Sequence, residues 1–594
     1  MPLFVWKRVI AGASAMFALT LLGTGLGSAT GQNPESSRVG AVSVPGSVAG
    51  SDSDVITFYY GLKRPEKRAK KALRRVSNPK SSTFRMFIDR ARIASEYGVS
   101  SKTLKKFSRS TSKYGLRTEL DRSGVFVRVT GTVSSMSDWL KQPIERQTIP
   151  GSPALVLYSA ATGAKPPDVK GLVRESVSYY SEMAAVATKQ DLKPIQPNQG
   201  TYIGGCKAAK AANTYSFKQL ARAYGVRTKR NDTSVGRDIR MAIISLGNGY
   251  SEASLREAAK CFKTPKRSFK RIRTDGVTGP LPAGLEGELD TQVLQGALPK
   301  GSRIKVVESL PLLLNQFQAW ARAFSLNKLP DVVSMSYVFC EEEVTGPSGD
   351  DFRTLIDSEL IRLGLAGSST MASSGDDGSS QCASSDPTAT QLAVAYPASS
   401  PYITAVGGSR IVLNKRNQRK KEVVWKDVNR YVNSDGGAEV LPDGSGGGGQ
   451  STLYRSPWWQ NPHTTESKWR TLPDISMHAS FGPGWPVYTD GQGFQAVSGT
   501  SASSPYFGAN IAMLAAQERQ LKNPSFGHVA PALYVAKKSQ KQSIYDIRQG
   551  NNALDNPDCC KATKGYDWAS GLGAPNMNKL QKAFRDMYGV NGLG

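Results

Sequence analysis

The sequence predicts a large doubly wound α/β domain preceded by a smaller α+β domain. Short apolar runs such as "IRMAIISLG" and "LPDVVSMSYV" recur beyond Tyr215, with the length and composition of buried parallel strands. Helix-period segments, "EASLREAAKCF", "LPLLLNQFQAWARAF" and "RTLIDSELIRLG", stand between or beside them. Earlier, residues 53 to 150 alternate strand-like and helix-like patterns on a smaller scale. A chain of 594 residues with 39% apolar content is too long for one ordinary domain and can build two or three cores.

In chain order, Lys7 and Arg8 precede an apolar stretch from Val9 to about Leu26, and Gly27-Ser28-Ala29 follow. This is the layout of a secretory signal, residues 1–29, cleaved after Ala29. An uncleaved anchor competes, since Val9 to Ala29 just reaches the length of a span. Its many small residues favour cleavage, so the expectation is a secreted, extracellular protein without stable membrane insertion. In the α+β region "DVITFYYGL" reads as a strand. "EKRAKKALRRV", "FRMFIDRARIASEYG" and "SKTLKKFSRSTSKYG" read as helices, and "GVFVRVTGTV" as β-rich. "KQDLKPIQPNQGTYIGG" then lacks periodicity and reads as a linker. Glycine-rich stretches such as Gly444 to Gly449 are loops, and no repeat of 20 to 50 residues is apparent.

The formal charge of +28 is unevenly placed, with 19 Lys/Arg against 5 Asp/Glu in residues 61 to 125. A nucleic-acid patch is one reading of "KRPEKRAKKALRR". Beside an export signal a solvated helix face is the better one, so no nucleic-acid partner is expected. The six cysteines all lie beyond residue 200 and suit disulfides in an exported chain, with fifteen pairings open. None has metal-ligand spacing.

Candidate chemistry begins at "SGTSASSP", where a strand-like run meets a helix with Pro505 in its first turn. Ser501 falls at the helix N-terminus, where backbone N–H groups favour developing negative charge. Helix capping is the competing reading. Gly-Thr-Ser-x-Ser-x-Pro resembles subtilisin-type serine proteases, but their triad needs an early histidine. The three histidines, His463, His478 and His528, all come after residue 460, and the contexts of His463 and His478 suggest surface or turn positions. A base for Ser501 is then a carboxylate. In "GLEGELDTQVLQGAL", Glu286 and Asp290 are four apart and share one helix face. In a cleft such a pair shares a proton, and on a surface it is only a solvated acidic face. "SSGDDG" puts Asp376 on a glycine-flanked turn, where a protonated carboxyl can donate to an oxyanion.

Jointly, "GLEGELD", "SSGDDG", "AYPASSPYITAVGG", "SGGGGQSTLYRSPWWQ", "LPDIS" and "SGTSASSP" resemble the sedolisin, or serine-carboxyl peptidase, family. "SNPKSSTFRMF", "YGVSSKTLKKF" and "VRVTGTVSSM" resemble the family's pro-kumamolisin-type activation prosegment. The resemblance covers residues 53 to about 585. It implies a subtilisin-like parallel-sheet peptidase domain at 206–594, a ferredoxin-like prosegment at 53–185, and a linker with the processing site at 186–205. It makes Ser501 the nucleophile, Glu286 the general base, Asp290 the carboxylate orienting Glu286, and Asp376 the oxyanion donor. The implied protein is a self-processing zymogen of an acid-acting endopeptidase or tripeptidyl peptidase. Its partners are protein or peptide substrates and its own prosegment as intramolecular inhibitor, in a monomer. A catalytically weak protein of the same fold, adhering to anionic cell-surface polymers, is the alternative.

The resemblance also implies one structural calcium ion, Ca2+, near the C-terminus. "SIYDIRQGNN" and "KATKGYDWASGLG" supply Asp546 and Asp567 as carboxylates and Ile547, Thr563 and Gly565 as carbonyl ligands. Thr563 replaces the family's usual Gly, and Cys559 and Cys560 fall inside this loop. Ser245 stands where many members have Glu, and Tyr337 where they have Trp. The basic prosegment is further expected to pair with carboxylates of the catalytic domain and to loosen on acidification.

Overall fold

The computed structural model describes residues 48–588 apart from 184–199 and shorter internal stretches, among them 428–430, 433–437, 440–443, 461–466 and 555–558. The expected signal at 1–29, His463 and most of the expected linker therefore lie outside the described residues.

The smaller unit is built from β1 (Val55–Leu62), α1 (Glu66–Ser77), α2 (Arg90–Tyr97) and α3 (Ser101–Ser112). It continues through β2 (Arg117–Leu120), β3 (Phe126–Thr132), α4 (Val133–Leu140) and β4 (Val173–Val177). The four strands pair antiparallel in the order β2-β3-β1-β4, the split β-α-β arrangement of a ferredoxin-like sheet. Alternate residues of β1 set its two faces. Ile56, Phe58 and Tyr60 enter the unit's own core, where the Tyr60 and Trp139 rings meet edge-on at 5.4 Å. Tyr59 points the other way, onto Phe317 of the larger unit at 5.4 Å. The segment expected to be helical from Phe84 begins its helix only at Arg90, because the Asp89 carboxylate caps the Ala91 N–H at 2.8 Å and fixes the start there.

The larger unit has eight strands in one sheet. Its strands are β5 (Arg240–Leu246), β6 (Ser268–Arg273), β7 (Arg303–Ser309), β8 (Val332–Met335), β9 (Ser369–Ser373), β10 (Thr404–Leu413), β11 (Arg419–Val424) and β12 (Ile475–His478). The order is β6-β7-β5-β8-β9-β10, parallel throughout, after which β10 pairs antiparallel with β11 and parallel with β12. Helices α5 (Glu252–Phe262), α6 (Leu285–Ala297), α7 (Gln316–Phe324), α8 (Gly346–Ala366), α9 (Thr500–Gln520), α10 (Ala530–Ser539) and α11 (Met577–Tyr588) cover it. Strands such as β5 and β8 are buried on both faces, which accounts for their continuous apolar runs. Three disulfides close the chain: Cys206–Cys261, Cys340–Cys382 and the adjacent pair Cys559–Cys560.

The units meet over α8, through apolar and charged contacts. Leu73 and Val76 of α1 are buried in a cluster with Phe317, Leu355 and Leu360. Arg64 donates to Glu175 at 2.7 Å, to Glu66 at 2.9 Å and to Ser358 at 2.8 Å, while Arg362 donates to Glu66 at 2.5 Å and to the Tyr97 carbonyl at 2.7 Å. Arg128 reaches Asp275 at 2.7 Å. Lys67, Arg68, Lys70, Lys71, Arg74 and Arg75 stay exposed on α1.

The acids among these contacts respond to pH in different directions. Burial alone would raise Glu66, but the charges of Arg362 and Arg64 hold it down to about 2, so its pairs persist until pH falls through that value. Asp351, which accepts from the Ser176 N–H at 2.9 Å, is raised by burial to about 6, and Glu359, bonded to Ser123, is raised by burial and Asp121 to about 8. The part of such a rise that docking causes favours the docked state as pH falls. At pH 4 Glu66 therefore keeps its pairs with Arg64 and Arg362, which sets one contact of the interface against the expected loosening on acidification.

Candidate active site

The candidate residues gather at the carboxyl ends of the parallel strands, where doubly wound sheets form their clefts. Ser336 directly follows β8, Asp376 follows β9, and α6 and α9 pack against each other. Ser501 is the second residue of α9, which begins at Thr500. Pro505 is accordingly inside the helix rather than in its first turn, and it deprives the Ser501 carbonyl of its usual donor four residues on. The Ser336 hydroxyl takes that place at 3.2 Å.

The same hydroxyl lies 2.7 Å from Asp290 Oδ1, and the Ser501 hydroxyl lies 3.5 Å from the Ser336 carbonyl. Asp290 and Glu286 come from one face of α6 and are both buried, as is Ser501. The helix can approach this closely because residue 287 is glycine: a Cβ there would stand 1.9 Å from the Gly249 carbonyl. Glu286 Oε1 and Asp290 Oδ2 have no hydrogen-bond partner among the described residues, an arrangement that one proton shared between the carboxyls satisfies. Burial and then the Asp290 charge push Glu286 well above its ordinary range, and the Ser501 hydroxyl pulls the other way by favouring the ionised form. Burial raises Asp290 too, with Ser336 opposing. In a pair so raised, one carboxyl can stay protonated while the other accepts from a hydroxyl.

On the other side of Ser501, Asp376 Oδ1 accepts from the Thr500 N–H at 2.8 Å and its hydroxyl at 2.7 Å. Gly499, with φ at +132°, is needed in this approach, since a Cβ on it would stand 2.9 Å from Asp376 Oδ2. Burial raises Asp376, against the two Thr500 donors, and so keeps it protonated further up the pH scale than an exposed aspartate. Such a carboxyl can donate to an oxygen that becomes negative.

Ser245 is buried and turns its hydroxyl onto the Asn248 carbonyl. Tyr337 is buried near the carboxyl pair, and burial followed by the Glu286 charge pushes its phenol far up. The positions expected to carry Glu and Trp thus keep polar groups but bring no further carboxylate. His478 is not a surface or turn residue: it ends β12 fully buried, with Nε2 2.8 Å from the Pro483 carbonyl and burial pushing it down to about 4. His528 is likewise buried and pushed down to about 3. Ser336 and Thr500 were missed by the sequence reading. Their only signal there is position, at a parallel-strand end and immediately before the candidate serine.

At the C-terminal side, Asp546 and Asp567 come together on adjoining loops. Asp546 accepts from the Gly565 N–H at 3.1 Å, and Asp567 from the N–H groups of Thr563 at 3.0 Å and Ser570 at 2.8 Å. The two carboxylates offer the oxygen chemistry that calcium takes. Lys537 is drawn into the same cluster, 3.2 Å from Asp546 Oδ1 and 2.9 Å from the Leu572 carbonyl, and Arg548 lies 2.6 Å from Asp546 Oδ2. Asp546 thus already draws two cationic side chains, which a bound cation would have to displace.

Comparison with known proteins defines the class. Residues 46–148 match the family model "Pro-kumamolisin, activation domain". Sedolisin of Pseudomonas sp. (strain 101) is 24% identical over 545 residues, covering 89% of this chain and 86% of that protein. Kumamolisin of Bacillus sp. (strain MN-32) is 29% identical over 58% of this chain and 59% of its own. Tripeptidyl-peptidase 1 of Dictyostelium discoideum is 28% identical over 52% and 49%. The match therefore spans about half to three fifths of the latter two proteins. The solved structure of Pseudomonas sedolisin with two molecules of pseudo-iodotyrostatin shares the fold at a TM-score of 0.53 and 24% identity, over 63% of this chain and 99% of that one. Fold and relatives together define a serine-type peptidase. More narrowly, the chain is similar to sedolisin over most of its length, and its residues 46–148 match a pro-kumamolisin activation domain.

Proposed function

We propose that the protein is a secreted zymogen of an acid-acting serine-carboxyl peptidase, hydrolysing protein and peptide substrates. The observation that carries this reading is the cluster of two buried carboxyls and a buried serine linked through Ser336, in a homologue of sedolisin. Glu286, as the ionised partner of the proton-sharing pair, takes the proton of Ser501. Asp290 holds the shared proton and orients Glu286. Ser501 Oγ attacks the scissile carbonyl, Asp376 donates to the oxyanion, and the amine leaves with the proton returned from Glu286. Water then attacks the acyl-enzyme with Glu286 again as base.

The pH range follows from two requirements. The pair must have lost one proton but not both, and Asp376 must keep its own. Activity rises as the first proton leaves the pair and falls as pH climbs through the folded pKa of Asp376, so the proposal requires the pair to lose its first proton below Asp376.

We assign residues 1–29 to a signal, 53–185 to an inhibitory prosegment, 186–205 to the cleaved linker and 206–594 to the peptidase. One calcium ion, held by Asp546, Asp567 and the carbonyls of Ile547, Thr563 and Gly565, would supply the charge that ties the two C-terminal loops together. The test is to acidify the purified proform and follow prosegment loss and casein hydrolysis beside Ser501→Ala and Glu286→Gln. Acid-triggered activity lost in both variants is expected, and activity surviving in either overturns the mechanism.

A further inference from the structure

Asn552 lies in the C-terminal segment, remote in sequence from every candidate catalytic residue, and it is fully buried. Its side-chain N–H groups donate to the carbonyls of Gly446 at 3.0 Å and Gly448 at 3.2 Å, and its side-chain oxygen accepts from the Cys560 N–H at 3.1 Å. Its own N–H donates to the Cys560 carbonyl at 3.1 Å, and its carbonyl accepts from the Ser379 N–H at 3.2 Å. Every hydrogen-bonding group of this amide residue is therefore used, and three chain segments converge on it.

Two of those segments hold Asp376. The Ser445 N–H donates to the Asp376 carbonyl at 2.8 Å, and the Gly447 N–H to the Gly375 carbonyl at 2.7 Å. Gly378 donates to the Ser445 carbonyl at 3.1 Å and accepts from the Gly448 N–H at 3.2 Å. The glycine segment 444–449 is thus a rail along which the Asp376 turn is laid, and Asn552 clamps that rail from behind through alternate carbonyls. It also touches the turn itself. A Cβ at Gly378, whose φ is +61°, would stand 1.9 Å from the Asn552 carbonyl, so the turn lies directly on the Asn552 backbone. Glycines 446 to 448 have little conformational preference of their own, and a rail built from them needs an outside constraint.

We propose that Asn552 is a positioning residue for Asp376. It sets the depth at which the carboxyl stands beside Thr500 and Ser501, and couples the loop of Cys559 and Cys560 to the site. This rests on the proposed role of Asp376 as the oxyanion donor. A donor displaced by a fraction of an ångström loses transition-state stabilisation but little ground-state binding, so the loss falls on kcat.

The experiment compares kcat and KM for a chromogenic peptide in the acid-activated protein and in Asn552→Ala, Asn552→Asp, Asp376→Asn and the Asn552→Ala/Asp376→Asn double variant. Melting temperatures are recorded alongside. Asn552→Asp keeps the shape and the Cys560 contact but turns an oxygen toward two carbonyls, so it tests the clamp even where the alanine variant folds poorly. The expected result is a loss in kcat of about 10- to 100-fold with KM within about twofold. In the Asp376→Asn background the Asn552 change should cost little more. Losses that multiply in the double variant, or that fall on KM, overturn the positioning role. Full activity in Asp376→Asn would instead overturn the oxyanion assignment, a separate outcome.

Discussion

Ser336 and Asp290 are joined by a 2.7 Å hydrogen bond whose donor also meets the carbonyl of Ser501. The second contact exists because Pro505 has no N–H to offer that carbonyl. One hydroxyl thereby registers the carboxyl-bearing helix α6 against the serine-bearing helix α9. The following expectations start from this arrangement.

Ser336→Ala removes the donor that favours ionised Asp290. The pair becomes harder to deprotonate, so the acid limb of the pH–rate profile moves to higher pH. kcat should fall by about tenfold or more, in the range of a lost second contact in a catalytic unit. The profile of kcat/KM between pH 2 and 6 checks this, and an unmoved acid limb contradicts it.

Asp376→Asn keeps an N–H donor near the oxyanion but cannot lose a proton there. Since the alkaline limb is assigned to Asp376, the variant should be slower yet hold its residual activity to higher pH than the parent. An alkaline limb that stays in place would assign it to the Glu286–Asp290 pair instead.

Arg64 contacts Glu66, Glu175 and Ser358 at the unit interface, and substitution by Met leaves two buried carboxylates short of a charge. In a Ser501→Ala background, which prevents self-cleavage, Arg64→Met should lower the melting temperature at pH 7 and at pH 4 alike, because Glu66 stays ionised at both. Lys67→Ala and Lys71→Ala, on the exposed face of α1, should change it little.

Lys537 competes for the oxygens of Asp546. Burial pushes Lys537 down, while Asp546, which burial alone would raise, is held low by Arg548 and Lys537. Lys537→Met should therefore destabilise the protein in chelator and tighten its calcium affinity. Thermal unfolding and calcium titration, each with and without EGTA, read both effects. Unchanged affinity would place the ion elsewhere.

Much of this was legible in the sequence. Helical spacing put Glu286 and Asp290 on one face and the strand-to-helix junction put Ser501 at a helix start, but only the joint resemblance to the family singled them out as a site. The parallel strands were visible because burial on both faces leaves unbroken apolar runs. Ser336 was not, because a serine at the end of β8 has no local pattern, and its importance comes from Pro505, 169 residues later. Asn552 was hidden for the same reason, since "GNN" reads as a turn until the glycine segment is laid against it. His478 was misjudged because β12 is only four residues long and sits among prolines.

The charge cluster of Arg64, Glu66, Glu175 and Arg362 has a consequence for timing. A prosegment that inhibits while Glu66 stays paired in acid does not come and go with pH; it stays until it is cut. Activation under the proposed reading is then a fuse rather than a valve: once the linker is severed and the detached unit digested, a return to neutral pH restores nothing. The irreversible event, and not the acidity itself, would be what commits each molecule.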